Sequence, residues 1–130
     1  MVCTLNHVNQ KIYKQAHQTS ARYEREQSEF DACNLKEQFK DNFIAPFVNE
    51  SYISMSLNIQ REVKIEENGT HLIIGEIQDV YLPKDCLYED GHINIEKAQT
   101  ICLSGLDSYH KTLPINRLSY AKPFESLRSL

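Results

Sequence analysis

Between Tyr52 and Ile65 the chain alternates with a period of two. Ile53, Met55, Leu57 and Ile59 are separated by Ser54, Ser56, Asn58 and Gln60, and Val63 and Ile65 continue on odd-numbered positions. Only an extended strand puts every second side chain on one face, so the stretch predicts a long strand with one face in a core and one in a polar setting. The residues Glu66-Glu67-Asn68-Gly69-Thr70 predict a tight turn, because Asn-Gly readily takes the positive φ angles of a short hairpin loop. A return strand is expected from about His71 to Leu82. Its pattern changes at Gly75, where Leu72, Ile73 and Ile74 give way to the mixed spacing of Ile77, Val80 and Leu82, and a bulge near Gly75 accounts for the change of face.

The rest of the chain is arranged around this hairpin. Leu5, Val8, Ile12 and Ala16 recur at steps of three and four, which predicts an amphipathic helix ending near residues 17–20. Thr19 to Asn42 is polar and supports one or two short helical turns. Phe43 to Val48 is apolar but contains Pro46, which cannot donate to a sheet ladder, so it is expected as a buried connecting loop or an edge. Beyond the hairpin, Asn94 is placed to cap a short helix through Glu96, Lys97, Ala98 and Gln99, with Ile95 and Ala98 facing inward. Gly105 marks a turn, and Arg117 to Lys122 reads as a final strand or extended tail. The fold class is α+β, mostly β, in a single domain over residues 1–130. One hairpin and one short strand cannot close a barrel, so further strands are either hidden in the chain or supplied from elsewhere.

Charge and cysteine content narrow the function. With 14 Lys and Arg against 18 Asp and Glu, the net charge of −4 argues against a nucleic-acid partner, which needs clustered positive charge. No apolar run exceeds three residues, far short of the roughly 18 that a helical membrane span requires. Four cysteines, Cys3, Cys33, Cys86 and Cys102, form no CxxC pair, and residues 1–14 contain no signal-peptide core. Reduced thiols and a cytoplasmic location are therefore expected.

Five segments carry a resemblance. HQTSARYEREQSEFDAC (17–33), NGTHLIIGEIQDVYLPKD (68–85), DGHINIEKA (90–98), SGLDSYH (104–110) and RLSYAKP (117–123) together resemble the flavin reductase-like family, whose fold is the FMN-binding split barrel. Their order matches the later part of that family's domain. The resemblance implies FMN as cofactor, NAD(P)H as electron donor and a homodimer whose two subunits both contribute to the flavin sites. It further implies an incomplete, N-terminally truncated split barrel with a long antiparallel hairpin and short flanking helices. A partner would then supply the missing N-terminal strands, and the chain would have weak or no activity alone. The alternative is a noncatalytic split-barrel module for dimerisation or binding.

The resemblance also selects candidate cofactor-binding residues. Thr19, Ser20 and Arg22 offer two hydroxyls and a planar charged fork suited to the phosphate or ribityl chain of FMN. The same run, with His17, also suits an ordinary helix C-terminus followed by a solvated loop. Family members often carry a His facing the nicotinamide at the start of the strand entering the Ile-Gly-Glu motif. Register from Gly75 assigns that place to Thr70, with His71 one residue later and on the other face. Tyr109 falls in a Gly-x-x-x-Tyr element that lies near the flavin in the family, although a core or interface tyrosine is equally compatible. No residue is expected to be catalytic, because hydride transfer is chiefly the cofactor's chemistry. No metal site is expected either: Cys86, His92, Cys102 and His110 are six or more residues apart, unlike the close ligand pairs of zinc sites. Glu66, Glu67 and Glu76 sit beside no recognisable nucleophile.

Overall fold

The long hairpin forms as the alternation predicts. In a computed structural model, which describes residues 1–130, β4 (Ser54–Ile65) pairs antiparallel with β5 (Thr70–Tyr81) around a turn in which Gly69 takes φ +69°. The elements before it are β1 (Val2–Asn6), α1 (Tyr13–Gln18), α2 (Glu29–Ala32), β2 (Glu37–Gln38) and β3 (Phe47–Val48). After it come β6 (Ile101–Ser104) and β7 (Ser108–Lys111). These strands make a three-stranded sheet in the order β1-β4-β5 and two small two-stranded sheets, β2-β3 and β6-β7. The architecture is mostly β with two short helices, and none of the sheets closes on itself.

Two bulges set the faces of the hairpin. Ile59 stands opposite Gly75 and Arg61 opposite Ile74, so Gln60 is an extra residue in β4. The irregularity falls beside Gly75, as expected, but on the facing strand. A Cβ at Gly75 would meet Leu57 Cδ2 at 3.0 Å, which explains the glycine by close approach. Gln78 is a second extra residue, in β5, between the pairs Ser56–Asp79 and Leu57–Ile77. The first bulge overturns one expectation. Directly opposed residues share a face, and an extra residue shifts the alternation by one. Val63 and Ile65 therefore leave the face of Leu57 and Ile59 for that of Ser54 and Ser56.

The helix expected from Leu5 to Ala16 is also corrected. Val2–Asn6 is a strand, paired residue for residue with Asn58–Ser54 of β4, and helix begins only at Tyr13. The free edge of β4 satisfies the backbone of β1, a long-range pairing that four spaced apolar residues cannot reveal. Buried Asn9 then breaks the run. Its Oδ1 accepts from Lys11 N at 2.9 Å and its Nδ2 donates to Glu50 O at 2.8 Å, the side-chain-to-backbone bonding that favours a turn. Three further readings resolve similarly. Asn94 Oδ1 accepts from Lys97 N at 2.7 Å, but the segment is a capped turn and not a helix, since Gln99 takes φ +54°. Arg117 to Lys122 forms no strand beyond a single bridge between Leu118 and Ser129. The turn at Gly105 belongs to the β6-β7 hairpin, which the sequence reading left as a turn alone.

Two small cores hold these elements. Ile12, Cys33 and Leu35 form one, with Val8, Phe30 and Val48 packed against it. Ile53, Cys86 and Ala98 form the other, flanked by Met55, Leu82, Ile93 and Ile95. Between them Phe47 is wholly buried, its ring 5.3 Å from that of Tyr81, and β3 runs along Glu37–Gln38 as the edge position of Pro46 suggested. All four cysteines are free thiols. No helix is long and apolar enough to cross a membrane.

Candidate functional site

The chain leaving β1 is stitched to β6 by backbone bonds, and the stitch creates a cleft. Ile101 N donates to Val8 O at 3.1 Å and Gln10 N to Gln99 O at 3.1 Å, while Asn9 and Thr100 form an isolated bridge. The start of the β6-β7 hairpin is thereby fixed beside α1. The space between holds a cleft of about 540 Å³ with Val8, Ala16, Ile101, Leu103 and Leu106 as apolar walls. Polar groups on its rim are His7, His17, Ser20, Thr100 and Tyr109. A few polar groups on an otherwise apolar concave surface are what a small-molecule site requires.

Tyr109 organises the cleft. Its hydroxyl is hydrogen-bonded to His17 Nδ1 at 2.9 Å, and the His17 ring meets its edge with centroids 5.7 Å apart. Tyr13 packs on it at 5.4 Å with a 54° tilt. Held from two sides by α1, the Tyr109 ring separates the main cleft from a second cavity of about 300 Å³ lined by Gln10, Tyr13, Ile101, His110 and Lys111. His7 Nδ1 lies 3.3 Å from Thr100 Oγ1, and burial pushes the His7 imidazole below its ordinary pKa. A lowered value keeps this ring neutral at pH 7, able to donate from one nitrogen and accept at the other.

Ser20 and Tyr109 thus converge on one cleft, but the other candidates do not. Thr19 lines a separate small cavity with Asn6, Ile12, Leu35 and Val48. Arg22 is exposed beyond α1 and forms no ion pair. The hydroxyls of Thr19 and Ser20 donate to Ala16 O and His17 O, each at 2.7 Å. This is the helix C-terminal role that the sequence left open. It leaves both hydroxyls acceptors first, a poor match for a phosphate unless they rotate. Thr70 and His71 sit at the far end of the hairpin, on opposite faces. Thr70 bonds to Asn68 Oδ1 through its backbone N and its hydroxyl, and His71 Nδ1 bonds to Glu62.

His7 and His17 complete the cleft and Tyr13 backs Tyr109 from the second cavity; of these only His17 stood out in the sequence, as part of the run leading to Arg22. His17 and Tyr109 are 92 residues apart, and no local pattern links them. No three His, Cys, Asp or Glu side chains converge as metal ligands. Glu66 pairs with Lys64, and Glu76 accepts from Gln60, so the hairpin carboxylates do not form an acid-base pair.

No protein-family model and no curated protein matches the sequence. Solved structures do. A protein assigned as a flavin reductase with a split barrel domain, from Shewanella frigidimarina NCIMB 400, superposes with a TM-score of 0.88 at 45% identity, covering 91% of this chain and 60% of that one. Flavoredoxin of Desulfovibrio vulgaris (Miyazaki F) gives 0.71 at 21% identity, over 95% of this chain and 63% of that one. Nitrilotriacetate monooxygenase component B from Bacillus cereus gives 0.74 at 22% identity, over 88% and 58%. The last two likenesses concern the fold alone. The chain has the architecture of the split-barrel flavin reductases and spans about 60% of the length of these structures.

Proposed function

We propose that the chain is a flavin reductase-like FMN-binding unit of the NAD(P)H-dependent type, with weak or no activity as an isolated 130-residue chain. The observation that carries this reading is the 45% identity to the Shewanella protein over 91% of the chain, on a shared fold with a TM-score of 0.88. The cleft's donor set fits the cofactor in kind. Apolar walls suit a flat conjugated ring system, and the imidazole and hydroxyl groups on the rim suit its polar edge. When bound, FMN would supply the chemistry, accepting a hydride from the nicotinamide.

The protein's part is to bind and orient. Tyr109, locked by His17 and Tyr13, offers a rigid ring for the cofactor to pack against. Neutral His7 and Thr100 offer hydrogen bonds without placing a fixed charge in the cleft. Ser20 can accept from the cofactor, and Arg22, free of any carboxylate, is available to a phosphate once its loop turns inward. Thr19 then shapes the loop and does not touch the ligand. Thr70 and His71 lie outside this cleft and join such a site only from a second copy. Strands from beyond residues 1–130, in a homodimer or from a partner chain, would complete the barrel.

The test is titration of purified chain with FMN, followed by flavin fluorescence and the visible spectrum. Stoichiometric binding that weakens about tenfold in Tyr109→Ala, the loss of roughly 1.4 kcal/mol, supports the reading. A folded chain that leaves FMN free at millimolar concentration removes it. The rival reading, a noncatalytic module, draws on the hydroxyls of Thr19 and Ser20 being committed to the backbone. It expects no FMN binding and no NAD(P)H oxidation.

A further inference from the structure

The cavity behind the Tyr109 ring has a chemistry of its own. It holds about 300 Å³ between the segment entering α1 and the base of the β6-β7 hairpin, and is lined by Gln10, Tyr13, Ile101, Tyr109, His110 and Lys111. Both walls belong to this chain and are pinned to each other. Gln10 N donates to Gln99 O and Ile101 N to Val8 O, each at 3.1 Å. Lys111 stands opposite Ile101 in the hairpin register, so it springs from the fixed end of the hairpin and not from the tip around Gly105. No residue of β4 or β5, whose sheet is partly open, takes part.

The polar groups of this cavity share one sense. The chain carries 18 Asp and Glu against 14 Lys and Arg, yet none of those carboxylates lines the cavity. Lys111 forms no ion pair. The Gln10 side-chain amide and the Tyr13 hydroxyl likewise take no hydrogen-bond partner within the chain, although Asn9 and Lys11 on either side of Gln10 bond to each other. His110 differs, since its Nε2 lies 2.8 Å from Ser104 Oγ. Three groups able to donate therefore line one space that offers them no carboxylate, and such a set is complementary to an anion.

Wall shape and charge count select the anion. The Tyr13 and Tyr109 rings are 5.4 Å apart and tilted by 54°, and Ile101 adds a third apolar surface. Aromatic walls favour a flat ring, which they meet by offset or edge contacts. A volume of about 300 Å³ stands at the small end of ligand sites, with room for one substituted ring and not for a three-ring flavin. One free ammonium matches one negative charge. A phosphate monoester carries close to two and calls for a second cation, whereas the other basic side chain here, His110, is turned to Ser104.

We propose that this cavity is a second ligand site, for a small aromatic carboxylate. The carboxylate pairs with Lys111 and accepts from Gln10 and Tyr13, while its ring rests against Tyr13, Tyr109 and Ile101. Tyr109 stands between this ligand and the main cleft, so the ligand is bound here and not transformed. The inference does not rest on flavin binding, and a chain that leaves FMN free can still hold the carboxylate.

Benzoate is the probe, titrated into the purified chain and followed by backbone amide chemical shifts. Saturation with a dissociation constant of about 1 mM or tighter is expected, with shifts centred on Gln10, Tyr13, Ile101 and Lys111. Benzamide keeps the ring and loses the charge, and acetate keeps the charge and loses the ring. Each should bind at least about tenfold more weakly. Lys111→Gln should weaken benzoate by about tenfold or more, through loss of the charge-assisted bond. Lys111 has no partner in its own chain, so the variant keeps its fold, which circular dichroism verifies. Lys84→Gln makes the same charge change at an exposed position outside the cavity and should leave the affinity within about twofold. The proposal is overturned by any of five results: no saturation up to about 20 mM benzoate, benzamide or acetate binding as well as benzoate, shifts centred instead on Val8, Ala16 and Leu106 of the main cleft, a Lys111→Gln chain that binds as the parent does, or an equal loss in Lys84→Gln.

Discussion

At the base of the hairpin Ser54 and Ser56 are fully buried, whereas at its tip Lys64, Glu66 and His71 stand in solvent, although one alternating sequence runs through both. The base is covered on both sides. Phe47 and Lys40 close over the serine face, with Lys40 Nζ 4.7 Å from the Tyr81 ring centroid and 3.2 Å from Ser54 Oγ. Burial pushes the Lys40 ammonium below its ordinary range. Nothing in residues 1–130 reaches the tip. Alternation therefore states which side chains share a face, and other elements decide whether that face is dry. The serines show why this matters, since small hydroxyls let the strand sit under Phe47 without leaving a polar group unsatisfied.

The sharpest way to break the contrast is to uncover the base. Phe47→Ala should cost about 3–5 kcal/mol, seen as a large drop in the urea midpoint, because it removes a wholly buried ring. A loss under 1 kcal/mol would mean that the base is no better packed than the tip. Ser56→Ala comes next. The Ser56 hydroxyl donates to Asp79 Oδ2 and accepts from Asp79 N, both at 3.0 Å, clamping the bulge at Gln78. Its removal should cost about 1–3 kcal/mol through the stranded amide and carboxylate.

Tyr81 gives the base a pH signature. Its hydroxyl donates to Asp41 Oδ2 at 2.7 Å, and this bond, with lesser help from burial and the nearby carboxylates, raises its pKa from 10.0 to about 12. A raised pKa stabilises the fold fully below the unfolded value and progressively less as pH rises through the folded one. Stability relative to Tyr81→Phe should accordingly decline between pH 10 and about 12, and Asp41→Asn should move the phenolate absorbance titration back toward 10. Titration at the ordinary value in the parent chain would show the bond to be absent in solution. The smallest effect belongs to the tip. His71→Ala should change stability by no more than about 0.5 kcal/mol, since the bond to Glu62 is exposed and screened. A larger loss would show the tip to be buried, as it would be against a second copy.

Much of the architecture was legible in the sequence. The alternation of Ile53 to Ile59, the Asn68-Gly69 turn and the irregularity at Gly75 specified the hairpin, because strand geometry and positive φ are local demands on residue type. Ser20 and Tyr109, picked out by short motifs of recognisable order, come to line one cleft. The contacts that make Tyr109 rigid were not legible, because His17 and Tyr13 reach it only after β6 docks beside the segment following β1. The β1 strand was missed for a related reason. Its pairing with β4 joins residues 48 to 56 positions apart, and its apolar spacing mimics a helix.

The sequence by itself determined where the chain can be extended, where it must turn and which side chains share a face between bulges. These follow from backbone geometry within a few residues. Only the tertiary structure decided that Gln60 and not Gly75 is the extra residue, that Val63 and Ile65 change sides, and that two serines are buried while six apolar residues of the sheet stay open. Burial depends on which distant segments arrive to exclude water, and that is a property of the assembled surfaces, not of any one strand.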